Sequence, residues 1–327
     1  MSDITIAFTD FWPGFDIDDN FFTQVLSGKY NVSVVAPDKE PDFHIYSYFG
    51  IEHLKYDNLK LYYTGENDVP NFNFCDYAIS FHHMNLRDRH LRLPLYVIYP
   101  AFERLRTQNR DIAESAFGRE FCSALISNNN NCDSMRLDFL KLLNSYKTVA
   151  SGGRYANNIG GPVEDKLEFI SNYKFNLAFE NSLVYGYTTE KIIDPLGTKS
   201  IPIYWGNPDI ELEINPKSFI NVHKFESISK ALEYIRYIDN NESEYMNMLH
   251  ANPIDNSPYL NWEEMLLDFL SNIIESKTRY VTNFGANGSI IREHIQKERV
   301  YSHKTIVNNI DKIEKLCKIW RRIRRFQ

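Results

Sequence analysis

The sequence predicts an α/β protein built on parallel sheets, and three observations carry that expectation. The first is the stretch Tyr173 to Pro208, YKFNLAFENSLVYGYTTEKIIDPLGTKSIPIYWGNP. It reads as an apolar strand (Phe175 to Phe179), a polar loop opening at Glu180-Asn181-Ser182, a helix with Thr188 as its N-cap, and a second apolar strand from Ser200 to Trp205 closed by Gly206-Asn207-Pro208. Strand, helix, strand in that order is a βαβ unit, and open parallel sheets take their ligands at the carboxyl ends of the strands. The second is the recurrence of short apolar runs that stop in polar or glycine-containing corners. The third is size: 327 residues, 43% hydrophobic, can bury a sizeable core and favour two domains.

Taken in order, Ile4 to Phe8 is a first buried strand, followed at once by Phe11-Trp12-Pro13-Gly14. Asp18 to Ser27 suits a helix, Asn31 to Val35 a second strand, Phe43 to Tyr48 a third, and Leu61 to Tyr63 a fourth that ends in Thr64-Gly65-Glu66-Asn67. Cys75 to Phe81 is a fifth strand, and His82-His83 follows it. Two adjacent histidines on an extended strand cannot both face one site. Arg87, Asp88, Arg89 and Arg92 come next, and by default form an ion-pair network under a cleft. Glu103 to Ala116 is weakly helical. Phe121 to Ile126 is a strand, and Asp133 to Asn144 an apolar-faced helix with Asp133 at its N-cap. The polar run Ser127 to Asn131 between them is the expected domain transition. Ser227 to Tyr237, Glu242 to His250 and Trp262 to Ile274 read as further helices.

Four cysteines without metal-ligand or CxxC spacing read as reduced thiols of a cytoplasmic protein. The N-terminus has no signal-type core, and no run of 18 apolar residues is present. Net charge is −7, unevenly spread: residues 313 to 327 carry +5, leaving −12 elsewhere, which is not the footprint of a nucleic-acid binder. Within 306 to 325, Ile306, Ile310, Ile313, Cys317 and Trp320 recur at helical spacing, flanked by basic residues. That pattern suits a basic amphipathic helix at an anionic membrane surface, or a packing helix.

The candidate chemistry lies in the first stretch. On a βαβ unit, Glu180, Asn181, Tyr187, Glu190 and Lys191 crowd one crevice. A helix N-terminus with a lysine beside it suits a diphosphate. Arg154, in the glycine turn of Val149 to Arg154, adds a planar donor fork of the kind phosphates attract. No metal-binding motif accompanies them.

The blocks FNLAFENS, GYTTEKIID and IPIYWGNP resemble the donor-binding signature of the α1,3/4-fucosyltransferases, the Helicobacter-type bacterial members above all. LYYTGENDVPNFNFCDYAISF, RDRHLRLPLY, INPKSFINVHKF and ALEYIRYI resemble that family in the same order, over roughly residues 3 to 275. The resemblance implies two Rossmann-like domains facing a cleft (the GT-B arrangement). It implies GDP-fucose as donor substrate with no separate cofactor, an oligosaccharide acceptor, and inversion at the anomeric carbon. It divides the chain into an acceptor-side domain (1–119), a GDP-sugar domain (120–258), a helix returning to the first domain (259–284) and the tail (285–327). Glu190 would orient ribose or fucose hydroxyls, Asn181 and Tyr187 would fix sugar and phosphates, and Glu180 would join them. A basic residue near Arg154 would contact the diphosphate, although an ungapped comparison places it at Ala156. Trp12 stands where the family has an aromatic pair facing the acceptor. Asn215 and Lys217 fall in the block lining the far side of the donor pocket. One departure matters: the glutamate held to be the family's general base aligns with His83. Three readings follow: His83 or His82 is the base, Glu66 or Asp88 takes the role, or the role is weak. Other GDP-hexose donors and a catalytically impaired glycan binder remain as alternative functions.

Overall fold

A computed structural model describes residues 1–107, 112–127 and 133–280. The amphipathic stretch 306–325 and Asn128 to Asn131 of the polar run lie outside the described residues. Met1–Thr278 forms one compact unit.

That unit holds two parallel sheets. In the first, β1 (Ser2–Thr9), β2 (Tyr30–Val34), β3 (Phe43–Tyr46), β4 (Lys60–Tyr63), β5 (Tyr77–Ser80) and β6 (His90–Arg92) lie in the order β2-β1-β3-β4-β5-β6. In the second, β7 (Glu120–Ala124), β8 (Val149–Ser151), β9 (Tyr173–Phe179), β10 (Ile201–Trp205) and β11 (Ile220–Asn221) lie in the order β11-β10-β9-β7-β8. The inner strands are largely buried, as strands of a parallel sheet are; every residue of β5 and of β10 is buried. Each sheet reverses its strand order once. The first does so at β1, which pairs with both β2 and β3, and the second at β7, which pairs with both β8 and β9. Crevices outside the carboxyl ends of the strands at such reversals are where these sheets hold ligands.

The helices are α1 (Phe21–Ser27), α2 (Pro100–Thr107), α3 (Met135–Asn144), α4 (Lys166–Ser171), α5 (Glu190–Gly197), α6 (Ile228–Asp239), α7 (Glu242–His250) and α8 (Trp262–Ser276). α8 packs against the first sheet: Phe269 meets Tyr77 edge to face with ring centroids 6.1 Å apart, and Lys29 Nζ lies 3.4 Å from Glu275. The apolar core under the first sheet runs without a break into the second half. Ile6, Phe43 and Ile79 share it with Ile192, Ile193 and Leu196 of α5, and with Leu266 and Leu270 of α8. Among the described residues no helix is long and apolar enough to cross a membrane.

Boundaries differ from the sequence reading where a side chain redirects the backbone. α1 begins at Phe21 because Asn20 and Thr23 form a reciprocal cap. The cap of α3 is Ser134, while Asp133 accepts from the Met135 N–H at 2.9 Å. The cap of α5 is Thr189, one residue later than read: the Thr188 hydroxyl is taken by Asn207 Nδ2 at 3.0 Å, and Thr189 accepts from the Lys191 N–H.

Candidate active site

The carboxyl end of β9 is organised by one buried acid. Glu180 is fully buried. Its Oε1 accepts from the Thr189 N–H at 2.8 Å, and its Oε2 accepts from the Thr189 hydroxyl at 2.8 Å. These bonds tie the two ends of the loop 181–188 together. Gly206, at the end of β10, leaves the room this needs: a methyl group there would fall 2.4 Å from Glu180 Cγ. Burial pushes the Glu180 carboxyl up, and Lys191 pulls the other way. The sequence reading sets Glu180 at the donor crevice, and there its carboxylate is engaged by the loop itself. With no exposed surface, Glu180 positions the loop and the lysine.

Lys191 Nζ lies 3.4 Å from Glu180 Oε2, 3.4 Å from Glu190 Oε1 and 3.1 Å from the Thr189 hydroxyl. Burial alone would favour the neutral amine. Glu180 and Glu190 more than offset it and hold the ammonium well above its usual range. Burial likewise raises Glu190, but Lys191 and Lys166 outweigh it and keep Glu190 a carboxylate below its usual range. Lys166 of α4 pairs with Asp194 and stands 4.0 Å from Glu190.

Arg136 was not singled out in the sequence, yet it completes this corner. Nearly buried, it donates to the Phe179 carbonyl at 2.9 Å and to Asn181 Oδ1 at 2.6 Å. The available signal was positional. Arg136 is the second residue of α3, which follows β7; Lys191 is the second residue of α5, which follows β9. The two helices leave the two strands that flank the reversal of the second sheet, so their first turns converge. A cavity of about 60 Å³ there is lined by Arg136, Lys166, Glu190, Lys191 and Asp194 among others. Cations beside a helix N-terminus form an arrangement that attracts an anion such as a diphosphate.

Arg154 sits exposed in the loop after β8, where the neighbouring Tyr155 N–H donates to the Ile126 carbonyl at 2.8 Å. Tyr187 is buried and packs its ring on Phe81, with centroids 5.0 Å apart; burial pushes its phenol up. It thus joins the loop after β9 to the loop after β5. Arg92 clamps the same junction. Its Nε donates to the Phe81 carbonyl at 2.8 Å, and its second terminal nitrogen to the Gly186 carbonyl at 3.3 Å and to Glu213 at 2.6 Å. It also donates to the Tyr259 hydroxyl. The ion-pair network read under the cleft is, at Arg92, a bridge between the two halves. Arg89 instead supports the edge of the first sheet, donating to the Asp76 carbonyl at 2.9 Å.

The two histidines diverge. His82 stacks on Phe81 and lies 3.2 Å from the Ser80 hydroxyl, which in turn is 2.9 Å from His90. His83 is exposed and stands against Gly186. What burial it has lowers its pKa, Arg92 lowers it further, and Asp209 opposes both. Glu66 is exposed at the corner after β4, near enough for its charge to act on Tyr187. Asp88 is exposed in the turn Arg87–Arg89. Trp12 is half-buried in an aromatic cluster, 5.0 Å from Phe15 and 6.2 Å from Phe49. Asn215 is committed to structure: its N–H donates to the Pro253 carbonyl at 2.7 Å and its amide to the Asn252 carbonyl at 2.9 Å. Lys217 lines a separate groove of about 490 Å³ beside β11.

Residues 6–99 match the model of the α-(1,3)-fucosyltransferase FucT N-terminal domain, and residues 118–265 that of the glycosyltransferase family 10 (fucosyltransferase) C-terminal part. An α-(1,3)-fucosyltransferase FucT of Helicobacter pylori is 36% identical over 274 residues, covering 70% of this chain and 56% of that protein. A crystal structure of an α1,3-fucosyltransferase with GDP-fucose is 31% identical, with a TM-score of 0.74, and the match covers 86% of this chain and 93% of that one. A second, of an α1,3-fucosyltransferase with GDP, is 32% identical with a TM-score of 0.75 over the same shares. The chain spans roughly half the length of the curated relatives it matches, from 38% to 56% of the first three. With both halves matched in order, and with a solved fucosyltransferase followed over nearly its whole length, the chain belongs to glycosyltransferase family 10, the fucosyltransferases.

Proposed function

We propose that the protein transfers L-fucose from GDP-fucose to a hydroxyl of an N-acetylglucosamine- or glucose-containing glycan, with inversion and in an α1,3 linkage. The observation that carries this reading is the paired first turns of α3 and α5, which bring Arg136 and Lys191 to one crevice. The acceptor oxygen attacks the anomeric carbon while the bond from that carbon to the β-phosphate oxygen breaks, its electron pair leaving with GDP. Lys191, Arg154 and the N-terminus of α5 neutralise the charge that develops on the diphosphate, an electrostatic task of the oxyanion-hole kind. Asn181, held by Arg136, and Glu190 orient donor hydroxyls. His83, neutral at pH 7 because its pKa is lowered, accepts the acceptor's proton. Glu66 is the second candidate for that proton, favoured by its exposure and by its reach to Tyr187. The basic stretch 306–325 suits contact with an anionic membrane surface.

The test is an acceptor panel incubated with GDP-fucose or GDP-mannose and read by product mass and linkage analysis. Fucosylated product from GDP-fucose alone is expected. Product from GDP-mannose would reassign the donor, and GDP binding without any transfer would leave a glycan-binding relative.

A further inference from the structure

We propose that Asp209 is a positioning residue for His83, forming with it a base pair assembled across the two halves of the chain. This rests on the assignment of His83 as the base and deepens it. The two side chains come from different sheets: His83 follows β5, and Asp209 follows β10.

Three contacts bring them together. His83 packs against Gly186, whose φ of +80° suits glycine. A methyl group there would lie 3.2 Å from His83 Cδ2 and 2.7 Å from the Phe81 carbonyl oxygen. The Gly186 N–H donates to Asn207 Oδ1 at 2.8 Å, and the same oxygen accepts the Asp209 N–H at 2.9 Å. One buried amide therefore fixes both the backbone that His83 rests on and the backbone that carries Asp209. Asn207 is itself held, donating to the Thr188 hydroxyl at 3.0 Å and to Glu213 at 3.3 Å.

The nearby acids are not equivalent. Glu213 is buried and consumed by Arg92 and Asn207. Asp209 is half-buried, opens the turn Ile210–Leu212 without capping it through its side chain, and has no ion pair among the described residues. It is the carboxylate left to answer a charge on His83. The charged and titratable groups that act on His83 are Arg92 and Asp209, with His82 beside it. Burial and Arg92 disfavour the imidazolium, so Asp209 is the group that favours it as the acceptor's proton arrives. Asp209 and His83 interact through their charges rather than by direct hydrogen bond, and catalytic hydrogen bonds commonly tighten only in the Michaelis complex.

The test is Asp209→Asn and Asp209→Glu in the full chain, with two readouts. One is the pH dependence of kcat for fucosyl transfer. The other is the His83 imidazole titration by NMR, which needs no turnover. Removing the carboxylate lowers the His83 pKa, so in Asp209→Asn the acidic limb moves to lower pH and kcat falls by ~10-fold or more. GDP binding stays as in the unsubstituted protein, and Asp209→Glu restores part of kcat. An unmoved His83 titration in a folded Asp209→Asn would overturn the proposal whatever the activity. A moved titration with the acidic limb in place would refute His83 as the base, and the positioning role with it.

Discussion

The carboxyl edge of the second sheet and that of the first are built on opposite plans. At the second, charges are buried or half-buried and interlocked: Glu180 grips Thr189, Lys191 lies between two carboxylates, and Arg136 holds Asn181. At the first, His83 and Glu66 are exposed side chains on loop corners. The difference follows from the work proposed for each. A diphosphate is a fixed, highly charged group, and stabilising it as it leaves requires donors that do not reorganise. A glycan hydroxyl arrives from water, so the group that receives its proton must stay reachable and close to neutral.

The largest expected effect comes from breaking the interlocked edge. Lys191→Ala should lower kcat/KM by ~10³-fold, a loss of the oxyanion-hole size, while the protein stays folded. Steady-state kinetics with circular dichroism checks this, and undiminished turnover would remove Lys191 from the mechanism. His83→Ala should cost roughly 10²-fold in kcat and abolish the acidic limb of the pH profile, with GDP affinity unchanged. Glu66→Gln is its counterpart: if that variant instead loses the limb, the base is Glu66.

The smallest effect concerns stability and separates the two halves. His44 and His90, both in the first sheet, are held at about 4 by burial, against an ordinary 6.5. Their folded pKa values are depressed, so the unfolded chain binds their protons first. Stability is present above pH 6.5 and drains as pH falls toward 4, by about 1 kcal/mol per histidine near roughly pH 5.5. Hydrogen exchange on acidification should therefore open β3 and β6 before β7 and β9. Equal opening of both sheets would show that these histidines do not set the acid response.

Much of this was legible from residue order. The βαβ unit of 173–208 appears as read, with its strands within two residues of the expected bounds. The crevice beside Glu190 and Lys191 follows from it. The slip of the α5 cap from Thr188 to Thr189 was not legible, because the group that claims Thr188 is Asn207, 19 residues away. Glu180 carries the same lesson. Its polarity pointed to the crevice, but its burial and its grip on Thr189 are decided by the fold.

By itself, then, the chain's local order determined the parallel α/β class, the places of the strands and helices, and the stretch proposed to meet an anion. Apolar periodicity and strand-end polarity are properties of neighbours in sequence. Tertiary structure decided which first-turn partner joins Lys191 and which of two adjacent histidines is the more exposed. Arg136 meets Asn181 across 45 residues, and Arg92 meets Glu213 across 121. Those meetings depend on where each sheet reverses its strand order and on how one continuous core sets the two halves against each other, and no local pattern encodes either.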